Sequence, residues 1–372
     1  MKTYSPRYSQ SLSQRESDRK IPMNTERLKI FAAKNGIFLA LIVLIAVFSI
    51  LRPNFFSFAN GQSILLQAAE LGLIAIPAAF LIMSGTIDLS VGSVASAAAI
   101  MGGITMSSTG STLLGFITAI VTGAVAGALN GFLISYLGLN SFVVTLGALS
   151  VWGGFALLVS EGRTIPRADL PEAFRAIGTL KVGPIPIQII ALAVTIALGW
   201  YVLNHTKFGK EIKAIGGNER AARLMGVNVK WSRFLLFVAT GAFAALAGMF
   251  LSAKVQSANP NIGSGLELEV LTVVLLGGVA FEGGVGRISG VVAGLLFFRV
   301  LRAGLVFMQA SPFLQTILIG ATLIVAVALD SSVQKIIRNS WATLGRKAVA
   351  KEPDSPPPGT PGLPSAPTPA KH

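Results

Sequence analysis

The residues able to do chemistry in this chain are few, and they fall in a handful of places. Glu70 lies in the apolar run Ile64-Leu65-Leu66-Gln67-Ala68-Ala69-Glu70, with Gln67 three residues earlier and so on the same helical face. A carboxylate in such a run is costly unless partnered, so Glu70 is expected to line a pathway or to pair with another helix. Arg299 and Arg302 stand three apart in a second apolar run. They either line an aqueous cavity suited to an anionic solute or pair with Glu70 or backbone carbonyls.

Three further patches carry polar residues at turns. Ser84-Gly85-Thr86-Ile87-Asp88-Leu89-Ser90-Val91-Gly92-Ser93 reads as a turn at Gly85 and then a helix whose orphan amides and positive dipole end Asp88 would cap. Asn259-Pro260-Asn261-Ile262-Gly263-Ser264-Gly265-Leu266-Glu267-Leu268-Glu269 is a turn followed by two acids in the first turn of a helix. That helix runs into Gly277-Gly278-Val279-Ala280-Phe281-Glu282-Gly283-Gly284-Val285-Gly286, too rich in glycine for a stable helix end. A broken helix or re-entrant turn is expected there, lining a cavity or covered by protein. Asp88 with Gly92 and Glu282 with Gly286 share one spacing, the mark of an internal repeat. Gly85, Asp88, Gly92, Glu267, Glu282 and Gly286 are thus the structural or gating candidates.

The third patch, Gly216-Gly217-Asn218-Glu219-Arg220-Ala221-Ala222-Arg223-Leu224-Met225-Gly226-Val227-Asn228-Val229, predicts a short helix from Glu219 to Met225. Asn218 caps it, Glu219 sits at its positive end and Gly226 stops it. It is too short to stand alone in water. A cytoplasmic partner that receives Ala221, Ala222 and Leu224 explains it better than an unassisted solvent loop does.

Other chemistries lack their residues. Gly209-Lys210-Glu211 has neither the glycine spacing nor the hydroxyl residue of a phosphate-binding loop, so ATP is not bound by that device. The chain has no Cys and two His, His205 and His372, which excludes thiol chemistry and Cys-based or His-rich metal sites. No catalytic constellation gathers at one depth, which disfavours an intramembrane enzyme. Ion-coupled transport normally uses several interior acids, and the apolar runs hold one convincing example, Glu70.

The elements that position these residues are membrane helices. Of 372 residues 52% are hydrophobic and only 12% charged, against about 25% charged in an ordinary soluble domain. About ten spanning segments are expected, at 33–51, 63–83, 89–106, 112–136, 142–160, 185–203, 232–253, 268–281, 288–309 and 313–330. Gly115, Gly123, Gly127 and Gly131 give the fourth a flat face for close packing. The fold class is therefore an all-α integral membrane protein, a glycine-rich close-packed bundle. Residues 1–30 form a disordered basic tail, 31–335 the membrane domain, and 336–372 a basic and then proline-rich disordered tail. The net charge of +14 sits in the tails and in the loop Lys207–Arg233, a membrane-topology pattern rather than a nucleic-acid surface. Arg7 to Lys34 and that loop lie an even number of crossings apart, so both are placed in the cytoplasm. Ten crossings bring Lys335, Arg338, Arg346 and Lys347 back to the same side.

The stretches Gly85 to Ser93, Gly216 to Val229 and Asn259 to Gly286, in that order, resemble the permease family of ABC importers for ribose, xylose, arabinose and similar solutes, over roughly residues 35–330. The resemblance implies a multi-pass subunit of the bacterial inner membrane that carries a monosaccharide or related polyol by alternating access. It implies two ATP-binding subunits, which hold the ATP and Mg, a second permease copy or related permease, and an extracytoplasmic solute-binding protein. It also implies that this chain binds no cofactor of its own and is not an enzyme. Gly216, Asn218, Glu219, Ala221, Ala222, Leu224 and Gly226 then form the helix that couples to the ATPase. Gln67, Glu70, Asn130, Trp152, Arg299 and Arg302 are the pathway candidates, since a sugar needs amide hydrogen bonds and a stacking face. The chain departs from the family at Arg302-Ala303-Gly304-Leu305, where Asn-Gly-Leu is common, and at Val285, where Lys is frequent. Branched-chain amino-acid permeases of the same class and ion-coupled secondary transporters are the alternative readings.

Overall fold

The computed structural model describes residues 23–328, with side chains from residue 36. The two tails, and the charges placed on them, lie outside the described residues. Helix α1 spans Met23–Leu51, and α2 Phe58–Met83 follows a 3-10 turn at Pro53–Phe55. Then come α3 Val91–Thr109, α4 Thr112–Ser135 and α5 Ser141–Val159. A connection holding the short α6 Glu172–Ile177 and a two-stranded hairpin, β1 Lys181–Val182 with β2 Ile185–Pro186, leads to α7 Ile187–His205. After it lie α8 Lys207–Gly217, α9 Glu219–Leu224, α10 Val229–Val255, α11 Leu266–Leu276, α12 Ile288–Phe307 and α13 Pro312–Ala328.

Helix starts follow side-chain caps. Ser57, Ser111, Asn140, Asn218 and Asn228 each accept a backbone amide from the first turn of the helix that follows, which satisfies donors that no intrahelical carbonyl reaches. Seven helices among the described residues are long and apolar enough to cross a membrane: α2, α3, α4, α5, α7, α10 and α12. The apolar part of α1, Gly36–Leu51, and α13 are shorter, and α11 has only 11 residues. The eighth segment, expected over 268–281, stops at Leu276 because the glycines that follow adopt turns, with Gly278, Gly283 and Gly284 at positive φ.

Helix α2 is the axis of the bundle. Every residue from Ala68 to Met83 is buried, as expected for a helix apolar on all sides. Around it, α4 and α10 touch through backbone: a Cβ on Gly123 would lie 2.2 Å from the Gly241 carbonyl oxygen, and one on Gly127 2.2 Å from that of Phe237. The small-residue face of α4 therefore packs helix on helix, as its spacing predicts. Helix α5 sits outermost, with only Thr145, Ala148 and Ala156 buried.

Candidate functional site

All three polar patches meet at one end of the bundle. Helix α2 ends at Met83, and Gly85 takes a left-handed turn at φ +79°. The Met83 carbonyl accepts the Gly284 amide at 2.8 Å. Gly216 lies against both: a Cβ there would be 1.9 Å from the Met83 carbonyl oxygen and 2.4 Å from the Gly284 nitrogen. Only glycine fits where three backbones cross. Gly286 packs on the Met83 side chain, completing the junction.

The short helix α9 is wired to this junction by charge. Glu219 accepts from Arg223 at 2.6 Å and pairs with Arg233 of α10 at 2.7 Å. Arg233 also donates to the Ser84 carbonyl at 3.0 Å. Burial alone would push the Glu219 carboxyl up, but the Arg223 hydrogen bond and the Arg233 charge outweigh it and hold the group below its usual range. Asn218 caps α9, accepting the Ala221 amide at 2.9 Å, and Gly226 ends it at φ +83°. Leu224 is 86% exposed and Ala221 half-buried. Ala222 is fully buried, clustered with Ile215 and Val229, so it cannot present a docking face to a partner. Its methyl group instead seats α9 on its own chain.

Asp88 is also placed differently from the expectation of a helix cap. The capping position of α3 is Ser90, without a side-chain cap, and Asp88 Oδ1 instead accepts from the Ser90 amide at 2.8 Å and the Ser90 hydroxyl at 2.6 Å. Asn130 of α4 donates to the same hydroxyl at 2.9 Å, so this buried amide secures the turn. Burial pushes the Asp88 carboxyl above its usual range, against the hydrogen bonds from Ser90 and Asn130. Gly92 packs on the Gly263 backbone, and Glu267 reaches back to the Gly265 amide at 3.2 Å to close the start of α11. Glu282 is exposed in the turn after α11. Asp88 precedes its helix start by three residues and Glu282 by six, so the shared spacing does not mark equivalent positions.

A second constellation occupies the middle of the bundle. Glu70, halfway along α2, pairs with Lys254 of α10 at 2.9 Å rather than with either arginine. Arg299 and Arg302 instead grip Glu269 of α11, at 3.1 and 2.5 Å. Both carboxylates and Arg299 are buried, whereas Lys254 and Arg302 reach partly to the surface. Gln67 turns to Ser63 of its own helix at 3.3 Å. Trp152 packs edge-on against Phe155 between two apolar clusters, which is a packing role.

Residues 61–327 match the protein family described as branched-chain amino acid transport system / permease component. The chain belongs to this family. The permease is 33% identical over 306 residues to the ribose import permease protein RbsC of Haemophilus influenzae, covering 81% of this chain and 94% of that one. It is 32% identical over 329 residues to the galactose/methyl galactoside import permease protein MglC of Escherichia coli, covering 83% and 97%. It is 34% identical over 303 residues to the L-arabinose transport system permease protein AraH of the same organism, covering 82% and 92%. No solved structure matches the chain. With its seven apolar helices of spanning length, the permease is a multi-pass membrane protein.

Sequence reasoning missed three site residues of the permease: Lys254, Glu269 and Arg233. Lys254 closes an apolar run from residue 234 and therefore needs an acid on a facing helix. Glu269 was legible as the acid that the Arg299 and Arg302 pair demands, but its place in a first helical turn already offered a local reason for it.

Proposed function

We propose that this permease is the membrane half of an ATP-driven importer for a monosaccharide or related polyol in the bacterial inner membrane. The relatives that match most of its length are import permeases of ribose, galactose and arabinose systems, which supports a sugar-like solute. Separate ATP-binding subunits hold ATP and Mg and drive alternating access. A second permease copy or related permease and an extracytoplasmic solute-binding protein complete the assembly. Ten membrane segments with both termini in the cytoplasm fit the Lys and Arg distribution and put α9 on the ATPase side.

The observation that carries this reading is the junction of Met83–Gly85, Gly216–Gly217 and Glu282–Gly284 beneath α9. A helix of six residues tied through Glu219, Arg233 and the Ser84 carbonyl to the axial helix is built to pass a push from outside into the bundle. In the coupling role, Leu224 and Ala221 face the ATPase subunit, while Gly216, Asn218, Glu219, Ala222 and Gly226 hold the helix in place. Gly85, Asp88, Gly92 and Gly286 shape the junction and the turn above it.

The test is reconstitution of the permease with candidate ATPase subunits and uptake of labelled ribose, galactose and arabinose. Leu224→Glu should fold normally and lose the ATPase complex and uptake together. Ala222→Trp should lower folded yield, since its site is full. A Leu224→Glu protein that binds the subunits and drives uptake as wild type does would remove α9 from the mechanism. The family description favours one second reading, a branched-chain amino acid solute; ATP-driven uptake of leucine with none of the three sugars would establish it.

A further inference from the structure

Helix α11 joins the two constellations. At its lower end Gly277 leads into a turn closed by the Ala280 amide on the Val285 carbonyl at 3.0 Å, and the Gly284 amide bonds to Met83 at 2.8 Å. A Cβ on Gly284 would lie 2.8 Å from Gly217, the residue just before the α9 cap. Any displacement of α9 thus reaches α11 through contacting backbone. At its upper end α11 begins at Leu266, with Glu269 near enough to Glu70 of α2 to act on its charge, and the chain before it runs irregularly from Ala258 to Gly265 along α3. Gly263 there bonds to Ser96 Oγ at 2.9 Å. Irregular backbone at membrane depth is tolerated only against protein or water, which makes this stretch the element of the bundle best suited to move as a pathway opens.

What decides whether motion entering at Gly284 arrives at Gly265 is how rigidly α11 is held to α12. At the lower end the two helices touch through backbone: a Cβ on Gly290 would lie 2.1 Å from the Gly277 carbonyl oxygen, and one on Gly294 2.5 Å from that of Val273. Above Gly294 the helices meet through side chains, with Val270 of α11 and Leu295 and Phe298 of α12 in one buried cluster. There Glu269 of α11 pairs with Arg299 and with Arg302 of α12. Glu269 is buried, and both arginines spend their charge on it.

We propose that Glu269 is a positioning residue for transport. Clamped by Arg299 and Arg302, it makes α11 and α12 one lever, so that displacement of α9 moves the Ala258–Gly265 stretch. This rests on the importer reading above. Loss of the clamp leaves α9, its ATPase-facing side and the glycine junction intact, and disconnects only the far end of the lever. The expected signature is a split: hydrolysis persists while solute moved per ATP falls.

The chain has no cysteine, so introduced pairs can be spin-labelled without background. In the assembled importer, labels at the exposed positions Leu268 and Ser108 should change separation between nucleotide-free and ATP-bound states. Glu269→Gln should abolish that change and lower solute transported per ATP about tenfold, with basal hydrolysis within about twofold of wild type. Glu269→Asp, which keeps the charge, should restore the ratio to within about threefold. Arg302→Gln, which spares the buried Arg299 pair, should give an intermediate loss and serves if Glu269→Gln does not fold. Static labels in a wild type that imports solute with ATP would sink the lever and leave the importer reading standing, as would wild-type stoichiometry in Glu269→Gln, or in Arg302→Gln where that variant stands in. Failure of wild type to couple uptake to ATP would overturn both.

Discussion

Removing Lys254 should damage the fold more than removing its partner, because the two ends of that ion pair have different ways out. Glu70 has 6% of its side chain exposed and Lys254 33%. In Lys254→Met the carboxylate is left buried without its closest cation, and breaking a buried pair in this way costs about 3 kcal/mol. In Glu70→Gln the ammonium is freed at a site already a third open, and the lysine can carry it outward along its own stem. That loss should be about 1 kcal/mol, one hydrogen bond. The double variant replaces a pair by uncharged groups of similar size and should cost about 1 kcal/mol or less, since buried ion pairs contribute little against neutral packing. A coupling of about 3 kcal/mol therefore separates the double variant from the sum of the singles.

The assay is thermal unfolding of the purified permease in detergent, followed by tryptophan fluorescence at one fixed scan rate, because such unfolding is read as a rate more than as an equilibrium. At roughly 2–4 °C per kcal/mol, Lys254→Met should fall by about 6–12 °C, Glu70→Gln by about 2–4 °C, and the double variant by no more than the smaller single. Equal losses in the two singles that simply add in the double would refute the reasoning.

Gly284→Ala should destabilise by about 1–3 kcal/mol, since φ is +76° and its Cβ would crowd Gly217, whereas Gly217→Ala points into open space and should be near neutral. Melting temperatures of the pair decide this. For Glu219, whose folded carboxyl is held below its ordinary value, stabilisation is present above the unfolded pKa of about 4.3 and lost as pH falls through the lower folded value. The group is 37% exposed, so at most about 1 kcal/mol is expected, and wild type and Glu219→Gln should differ above about pH 5 and converge under acid. Asp88 has the opposite sign: burial raises its folded pKa, so it contributes less stability as pH rises through that value. Asp88→Asn, which keeps the acceptor for the Ser90 amide, should sit within about 0.5 kcal/mol of wild type at neutral pH, and Asp88→Ala should lose about 1–2 kcal/mol. Replacing sodium by an impermeant cation should leave ATP-driven uptake unchanged in vesicles.

The helices were legible because spanning length and hydrophobicity are local properties of the chain. The turn after α11 was legible too, as five glycines in the ten residues from Gly277 to Gly286 leave no stable helix. What the sequence could not supply was which faces meet. A Glu70 pairing with Arg299 or Arg302 was one of the readings left open, beside an aqueous cavity and backbone carbonyls, yet both arginines go to Glu269 and Glu70 goes to Lys254. Ala222 was misread for a related reason. In so short a helix the alanines look exposed, but Ile215, Ala222 and Val229 recur every seven residues and fold onto one another. That seven-residue spacing was the available signal, and it crosses a helix boundary where periodicity is not normally followed.

The pairing also bears on where the energy for transport enters. An ion-coupled mechanism needs an interior carboxylate that gains and loses a cation in each cycle. Here Glu70 and Glu269 are occupied by cations that belong to the protein, and a guanidinium neither leaves nor gives up its proton. Lys254, Arg299 and Arg302 against Glu70 and Glu269 leave the cluster with one positive charge in excess, a poor site for sodium. Pulling the Glu269 clamp apart would leave buried charge uncompensated, so it resists separation of α11 from α12. On the importer reading proposed above, work enters at the surface, and α9 reaches the clamp through Gly216, Gly284 and α11.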